Sequence, residues 1–348
     1  MHRKRNVRLS NLAKWTVLLA SCVTTASGSS AQTVEEFYRR NPLNLVVGAA
    51  SGGSSDAFAR GIAPYLTKYL PGHPAVVVRN KPGAGGLLVA TELQHTAPRD
   101  GSYISTLQRN NYTDTLTGDA KVNFDPRTIN NLGSMAKNIY TVFTYGKQPV
   151  TFADAQKREI ILTAPSAGSG NAIFPVMLNK LAGAKFRMVY GYQGPQDEMI
   201  ALERGEAEGR AAGYSTTKRG AAKQWFEQGL MHHLVLFGFT RNTEIPNVPT
   251  VLEVVKDPEA SAIVRFMLAQ LEFGRPFAAP PSIPEDRLAA LREAFAAISR
   301  DPDYIADLAR LGDDVEFLSG QEVTTLVNGL WSTPPDQLAK IKELLAAK

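Results

Sequence analysis

Residues 43–56 read LNLVVGAASGGSSD, a short apolar run followed at once by a turn rich in glycine and serine. Apolar residues near helical spacing follow the turn as far as Leu70. The stretch therefore predicts a strand, a tight turn and a helix. A helix that begins in such a turn points free N–H groups and its positive dipole end at the turn, which can seat an anion.

The same order of strand, turn and helix returns twice. Pro82-Gly83-Ala84-Gly85-Gly86 follows the apolar run 75–78, and Ser166-Ala167-Gly168-Ser169-Gly170-Asn171 follows the run 160–164. Alternation of this kind predicts an α/β protein with parallel strands and helices on both faces of the sheet. The turn at 82–86 is open to two interpretations, close helix–strand packing or ligand contact.

The N-terminus has the pattern of a secretory signal peptide. Five basic residues occur before position 15, an apolar run follows at 15–20, and the first acidic residue is Glu35. A small-residue cleavage site ending at Ala31 predicts that residues 1–31 are a signal peptide and that the protein is periplasmic. Cys22 lies among residue types that resemble a lipobox. A lipid anchor at Cys22 is therefore an alternative to secretion without an anchor.

Charge and length limit the classes of function. The leader carries five of the 38 Lys and Arg, and the 33 that remain equal the number of Asp and Glu. A neutral body removes the electrostatic reason for a nucleic-acid partner. The single cysteine excludes an intrachain disulfide. The body is longer than one core usually holds, which predicts two lobes.

The C-terminal region is predicted to be helical. Ser282 to Glu285 and Ser319 to Glu322 each match a capping box, in which a serine and a glutamate cap the start of a helix. A last amphipathic helix is predicted for 336–347.

In their order along the chain, the three glycine-rich turns and four shorter motifs resemble the substrate-binding proteins of tripartite tricarboxylate transporters, the Bug or TctC-like family. The shorter motifs are APRDG at 97–101, FDPR at 124–127, IPNVPT at 245–250 and PPSIP at 280–284. The resemblance covers nearly the whole chain after the leader.

The resemblance implies a two-lobed type II periplasmic binding-protein fold of class α/β. Each lobe would be a mixed sheet flanked by helices, and the chain would cross between lobes near 140–144 and 272–277. Domain 1 would comprise residues 42–140 and 272–348, and domain 2 residues 141–271.

The function implied is that of an extracytoplasmic solute receptor without catalytic activity. It would bind a small organic carboxylate, either a di- or tricarboxylate or an aromatic acid, in a cleft that closes about the two crossings. It would act as a monomer and deliver the ligand to the integral membrane subunits of the transporter, or, as an alternative, to a signalling partner. No cofactor, metal or nucleic acid is expected.

The residues expected to bind the ligand come from both lobes. They are Ser51, Gly52, Gly53, Ser54, Ser55, Asp56, Arg109, Asn110, Ser166, Ala167, Gly168, Ser169, Gly170, Asn171, Tyr192, Arg210 and Tyr214. Asp56 is alternatively a helix N-terminal cap. Arg109 or Arg210 is hypothesised to meet a second carboxylate of the ligand, against the alternative that both are solvated surface charges.

One enzymatic alternative is a serine hydrolase. Ala164-Pro165-Ser166-Ala167-Gly168 follows a strand and approximates the nucleophile elbow Gly-x-Ser-x-Gly, although the first glycine is missing. His232 or His233 would have to serve as the base.

Overall fold

The strands of the protein form two mixed sheets, each flanked by helices. The computed structural model describes residues 32–52, 54–117, 123–167, 169–218, 220–310 and 315–346. The predicted signal peptide and Cys22 lie outside the described residues.

The strands are short, and most correspond to apolar runs of the sequence. In chain order they are β1 Leu43–Val47, β2 Val76–Asn80, β3 Tyr103–Thr106, β4 Asn130–Ser134, β5 Tyr140–Tyr145, β6 Ile160–Ala164, β7 Phe186–Tyr190, β8 Gly209–Gly213, β9 Met231–Phe237, β10 Pro276–Ala279 and β11 Leu318–Ser319.

Helices connect the strands and extend to the C-terminus. They are α1 Val34–Arg40, α2 Ser54–Tyr69, α3 Leu87–His95, α4 Asn111–Thr117, α5 Phe152–Lys157, α6 Gly170–Ala182, α7 Pro195–Glu203, α8 Gly220–Glu227, α9 Val251–Val254, α10 Pro258–Glu272, α11 Glu285–Ile298, α12 Pro302–Arg310, α13 Gly320–Trp331 and α14 Pro335–Ala346.

Each sheet contains both parallel and antiparallel pairs of strands. The first sheet has the order β11-β4-β10-β3-β1-β2, with β1 parallel to β2 and β3 and with β10 antiparallel to β3 and β4. The second has the order β7-β6-β8-β5-β9, with β6 parallel to β7 and β8 and with β5 antiparallel to β8 and β9. The predicted two-lobed α/β fold is confirmed.

Two connections join the lobes, one from β4 to β5 and the other from α10 to β10. They run side by side, because the N–H of Met135 donates to the oxygen of Arg275 at 3.2 Å and the N–H of Asn138 donates to the oxygen of Leu271 at 2.8 Å. The predicted first crossing, 140–144, is itself strand β5, so the connection lies just before it. The residue bounds of the two domains stay a prediction.

The alternation of side chains along the strands distributes the apolar residues over several cores. In β1, Leu45 and Val47 pack with α2 and α11, while Val46 faces the opposite side of the sheet. In β5, Val142 and Phe143 likewise belong to cores on opposite faces of the second sheet. Both sheets are therefore covered on both faces, as the apolar runs of the sequence predicted.

The C-terminal region confirms one of the predicted capping boxes and corrects the other. Ser319 caps α13 and exchanges bonds with Glu322. Ser282 has a φ of +59° and α11 begins later, after Pro284, with no side-chain cap bond. The prediction for Ser282 was wrong because two prolines restrict the backbone beside it.

Within the described part of the chain, none of the helices combines the length and the apolar character that crossing a bilayer requires.

Candidate functional site

Three loops meet at the carboxyl end of the first sheet, directly after β1, β2 and β3. Between them lies a cavity of about 540 Å³, which we call the lobe-1 pocket. Its lining residues are Gly48, Ala49, Ala50, Ser55, Pro82, Gly83, Gly85, Gly86, Gln108 and Asn110. Ligands of α/β proteins commonly bind at the carboxyl ends of parallel strands, so the lobe-1 pocket is a candidate ligand seat.

Glycines let the first two loops touch backbone to backbone. A Cβ on Gly48 would lie 3.2 Å from the Cα of Gly86. Gly86 itself has a φ of +94°, and a Cβ there would lie 2.8 Å from Oδ1 of Asn111. The turn at 82–86 therefore serves close packing and also lines the pocket.

Asn111 is fully buried and ties the third loop to the second. Its Nδ2 donates to the oxygen of Gly85 at 3.0 Å, and its Oδ1 accepts the N–H of Gln108 at 3.2 Å. Gln108 in turn donates from Nε2 to Oγ of Ser55 at 3.1 Å. These bonds hold the three loops of the lobe-1 pocket in one arrangement.

Asp56 is the third residue of α2 and holds the first loop. Its carboxylate accepts the N–H of Gly52 at 2.8 Å and the hydroxyl of Ser51 at 3.3 Å. Nε of Arg60 lies 2.9 Å from the same carboxylate. The bonds from Arg60 and then Gly52 hold the pKa of Asp56 well below its usual range. Because Asp56 already occupies the Gly52 N–H, an anion at this loop needs other donors.

Arg109 lies on the third loop and reaches the second lobe. Its guanidinium carbon is 5.8 Å from the ring centroid of Tyr140, the first residue of β5. The neighbouring Asn110 is exposed and donates from Nδ2 to Oδ2 of Asp114 at 2.8 Å. Arg109 thus contacts the opposite lobe, whereas Asn110 bonds to its own helix.

The loop after β6 closes on itself and leads into α6. Both the N–H and the hydroxyl of Ser169 donate to the oxygen of Ser166, at 3.1 and 2.7 Å. Gly170 starts α6, and a Cβ there would lie 3.1 Å from the hydroxyl oxygen of Tyr140. Arg109 and the start of α6, which come from different lobes, therefore lie against the same tyrosine.

Arg210 forms a buried ion pair in the second lobe. Its Nη2 lies 2.8 Å from Oε2 of Glu198, and the two side chains are 6% and 0% exposed. Burial raises the pKa of Glu198, although Arg210 and Asn171 favour its charged form, and burial lowers the pKa of Arg210. The alternative interpretation, in which Arg210 is a solvated surface charge, is therefore wrong. Its part in ligand binding stays a prediction.

The two predicted tyrosines occupy different environments. Tyr214 is buried, and its hydroxyl donates to Oε2 of Glu244 at 2.7 Å. Tyr192 is half-buried in the loop after β7, where burial raises its pKa. Tyr214 is therefore part of the packed second lobe, while Tyr192 lies at the carboxyl end of the second sheet.

Two predicted site residues, Gly53 and Gly168, lie outside the described residues. The direction of their N–H groups stays a prediction. Of the predicted residues that the structure does describe, Ser55 and Asn110 line the lobe-1 pocket and Arg109 contacts the second lobe. Arg210 and Tyr214 are instead buried within the second lobe.

Sequence reasoning missed Gln108 and Tyr140 as residues of the candidate site. Gln108 lines the lobe-1 pocket and Tyr140 lies between the lobes. The position of Gln108, shortly after the residues of β3, could have indicated it, because the ends of parallel strands lie at one edge of the sheet. Nothing local distinguishes Tyr140 from other strand tyrosines.

The geometry does not support the serine hydrolase alternative. His232 and His233 lie on β9, and β8 and β5 separate that strand from β6 and the Ser166 loop. Three strand spacings are roughly 14 Å, beyond hydrogen-bond reach. His232 Nε2 instead lies 2.8 Å from the oxygen of Gly146, and His233 Nδ1 lies 3.0 Å from Oγ1 of Thr141.

Among the described residues, the side chains that commonly bind metals form no cluster of three or more His, Cys, Asp or Glu.

Two mixed sheets that are flanked by helices and joined by two crossings form the fold of two-lobed solute-binding proteins. The model of the family described as "Tripartite tricarboxylate transporter family receptor", TctC, matches residues 58–345. The chain belongs to this family. Its members are receptors, which confirms the prediction that the protein is not an enzyme.

Individual proteins are similar to this chain in sequence and in structure. The chain is 28% identical over 319 residues to the "UPF0065 protein in gbd 5'region" of Cupriavidus necator, covering 89% of this chain and 90% of the relative. A TctC solute-binding protein from Polaromonas, solved without ligand, superposes with a TM-score of 0.68 at 17% identity, over 88% of this chain and 99% of that one. An R. palustris protein solved with adipate has a TM-score of 0.59 at 20% identity, over 87% and 98% of the chains.

Proposed function

We propose that this protein is an extracytoplasmic receptor that binds a small organic carboxylate between its lobes. The observation that carries the proposal is the meeting of Arg109 and the start of α6 at the ring of Tyr140. The R. palustris protein solved with adipate supports a carboxylate as the ligand.

The groups at this point favour negative charge. Arg109 brings a guanidinium from the first lobe, and α6 directs its N-terminal N–H groups and dipole from the second. Each charge-assisted hydrogen bond contributes about 1.5–3 kcal/mol. A few such bonds reach the roughly 8 kcal/mol of a micromolar complex, before the costs of association and closure are subtracted. Closure would bring both lobes onto the ligand at once.

The biological role proposed follows from the family and the leader. The signal peptide would export the protein to the periplasm, where it would bind its ligand as a monomer. It would then deliver the ligand to the integral membrane subunits of a tripartite tricarboxylate transporter. The family description supports a transporter as the partner rather than a sensor.

A binding experiment tests the receptor proposal. We expect at least one member of a panel of mono-, di- and tricarboxylates to raise the melting temperature of the purified protein, because a ligand that binds only the native state stabilises it. Isothermal titration calorimetry should then show about ten-fold weaker binding for Arg109→Gln, from the loss of one charge-assisted bond. The matched control is Arg99→Gln, an exposed arginine of the same lobe that donates to the oxygen of Gln94.

Failure of every carboxylate to bind would refute the proposal. Equal affinities of wild type and Arg109→Gln would remove Arg109 from the site. Delivery is tested in cells that lack this gene: uptake of the carboxylate should fall and should return with the wild-type gene. Unchanged uptake would indicate a different partner.

A further inference from the structure

The second lobe contains a cavity of its own, of about 200 Å³, between the second sheet and the helices α7 and α8. We call it the lobe-2 pocket. Its lining includes the apolar residues Phe143, Met199, Ala212 and Ala222. Arg210 and Thr217 also line it. A pocket with these walls suits the hydrocarbon part of a ligand better than a hydrated polar group.

The lobe-2 pocket opens where a ligand of the cleft could enter it. Pro195 and Gln196, at the start of α7, line it and are exposed. Helix α7 follows β7, and β7 pairs in parallel with β6, so this opening lies at the same end of the sheet as the Ser166 loop. The exposed residues of the lobe-2 pocket therefore lie at the carboxyl end of the parallel strands, as the lobe-1 pocket does in the first lobe.

Residues of the cleft and of the lobe-2 pocket are also neighbours. Strand β5, which begins at Tyr140, pairs with β8, which carries Arg210. Tyr140 favours the charged form of Arg210, and Asn171 favours that of Glu198. Tyr140 contacts Gly170 and Arg109 as well. The ion pair beside the pocket thus involves the strand next to the one that begins at Tyr140.

Arg210 provides the pocket with a hydrogen-bond donor, but Glu198 neutralises its charge. Glu198 lies 2.8 Å from its Nη2, and its Nη1 donates to the oxygen of Pro195 at 3.3 Å. Its buried Nε has no acceptor in the part of the chain that the structure describes. A ligand carboxylate here would add a second negative charge beside Glu198 in a buried site, which is costly. An apolar group, with or without a neutral acceptor, carries no such cost.

The size of the cavity sets the size of that group. An apolar cavity of about 150 Å³ accommodates benzene. The lobe-2 pocket, at about 200 Å³, has room for one six-membered ring or a short carbon chain.

We propose that the lobe-2 pocket holds the apolar body of the ligand while the loops of the cleft hold its carboxylate. The preferred substrate class is then a monocarboxylic acid with one ring or a short chain, rather than a compact di- or tricarboxylate. This inference rests on the proposed receptor function and assigns the ligand class of the same site.

Calorimetry with four named probes tests the inference on the purified protein. Benzoate and cyclohexanecarboxylate should bind about ten-fold or more tightly than malate and citrate, because they alone place carbon in the pocket. Ala222→Leu fills the pocket and should weaken benzoate binding by about ten-fold or more. The control Gln224→Leu adds apolar volume on the exposed side of the same helix and should leave benzoate binding unchanged.

A second variant keeps the test decisive if Ala222→Leu does not fold, which thermal unfolding would reveal. Met199→Ala enlarges the pocket from a half-buried position and should raise the affinity for 2-naphthoate relative to benzoate. An unchanged ratio overturns the inference, as does tighter binding of malate or citrate in the wild type. Either result leaves the receptor function intact, whereas failure of all carboxylates to bind refutes both.

Discussion

Single residues of the lobe-1 pocket are restricted by their backbone. Gly86 combines a φ of +94° with close approach to Asn111 and Gln108, so it meets both conditions under which only glycine fits. The strand-to-helix turn could be predicted from the sequence. The contact with Asn111 could not, since Asn111 belongs to a different loop.

Replacing Gly86 should therefore cost more than backbone strain alone. Gly86→Ala places a Cβ 2.8 Å from Oδ1 of Asn111 and from Cγ of Gln108. The left-handed backbone costs about 1–2 kcal/mol with alanine, and displacement of Asn111 and Gln108 adds to it. We expect urea denaturation to show a loss beyond that cost, together with weaker carboxylate binding.

The control for this prediction is Gly183→Ala at the end of α6. Gly183 has a φ of +66° and no neighbour within 4 Å of an added Cβ, so only the backbone cost applies. If both variants lose the same stability, the contacts of Gly86 do not restrict this position.

His233 should make stability depend on pH. Burial first, and then the charge of His232, lower the pKa of His233 to about 4. In the unfolded chain a histidine has a pKa of about 6.5, so between these values the unfolded state binds more protons than the folded state. Stability should therefore fall as pH drops from about 6.5 towards 4, by up to about 1.4 kcal/mol per pH unit.

Urea denaturation at pH 7, 5.5 and 4.5 measures this dependence. His233→Gln, which keeps a hydrogen-bonding group beside Thr141, should reduce the slope. His95→Gln changes an exposed histidine and should leave the slope unchanged. If the pH dependence of stability is unchanged in His233→Gln, other titratable groups cause it.

At the scale of elements, the apolar runs before the three glycine-rich turns predicted β1, β2 and β6 to within two residues. β6 lies where the apolar run 160–164 placed it. β8, with the sequence GRAAG, and β10, with PFAA, have weak strand signals. They become strands because their neighbours in the sheet supply hydrogen-bond partners, which no local pattern records.

The two serines of the C-terminal region give an element-scale prediction. Ser319→Ala should destabilise the protein by about 1 kcal/mol, because Ser319 accepts the N–H of Glu322 at the start of α13. Ser282→Ala should cost less, since α11 has no side-chain cap bond. Thermal unfolding of both variants measures the difference. Equal losses would show that the Ser319 cap contributes nothing specific.

At the scale of the whole molecule, the proposed closure would take place about the two crossings, which contact each other. Lys137 Nζ lies 2.9 Å from Oε2 of Glu272, which links one crossing to the other. A Cβ on Gly274 would lie 2.9 Å from the oxygen of Ala136 and 3.0 Å from the Cβ of Asn138. The two segments are therefore in backbone contact.

Gly274→Ala should push the crossings apart and impair closure. We expect weaker carboxylate binding and a larger radius of gyration in the presence of ligand, measured by small-angle X-ray scattering. Gly61→Ala adds a methyl group at an open position on α2 and should leave closure unaffected. If Gly274→Ala has the same radius of gyration with ligand as the wild type, the crossings tolerate the added methyl group.

The sequence by itself determined the α/β class, the positions of the glycine-rich turns and the family. These depend on apolar periodicity, turn chemistry and ordered motifs, all of which are carried by residues close together in the chain. Only the tertiary structure decided that Asp56 occupies the Gly52 N–H, that Glu198 neutralises Arg210 and that Tyr140 joins Arg109 to α6. The first contact lies within one loop and the second joins two consecutive elements, but both depend on how side chains are oriented in the folded chain. The contacts of Tyr140 join elements distant in sequence, which the fold brings together.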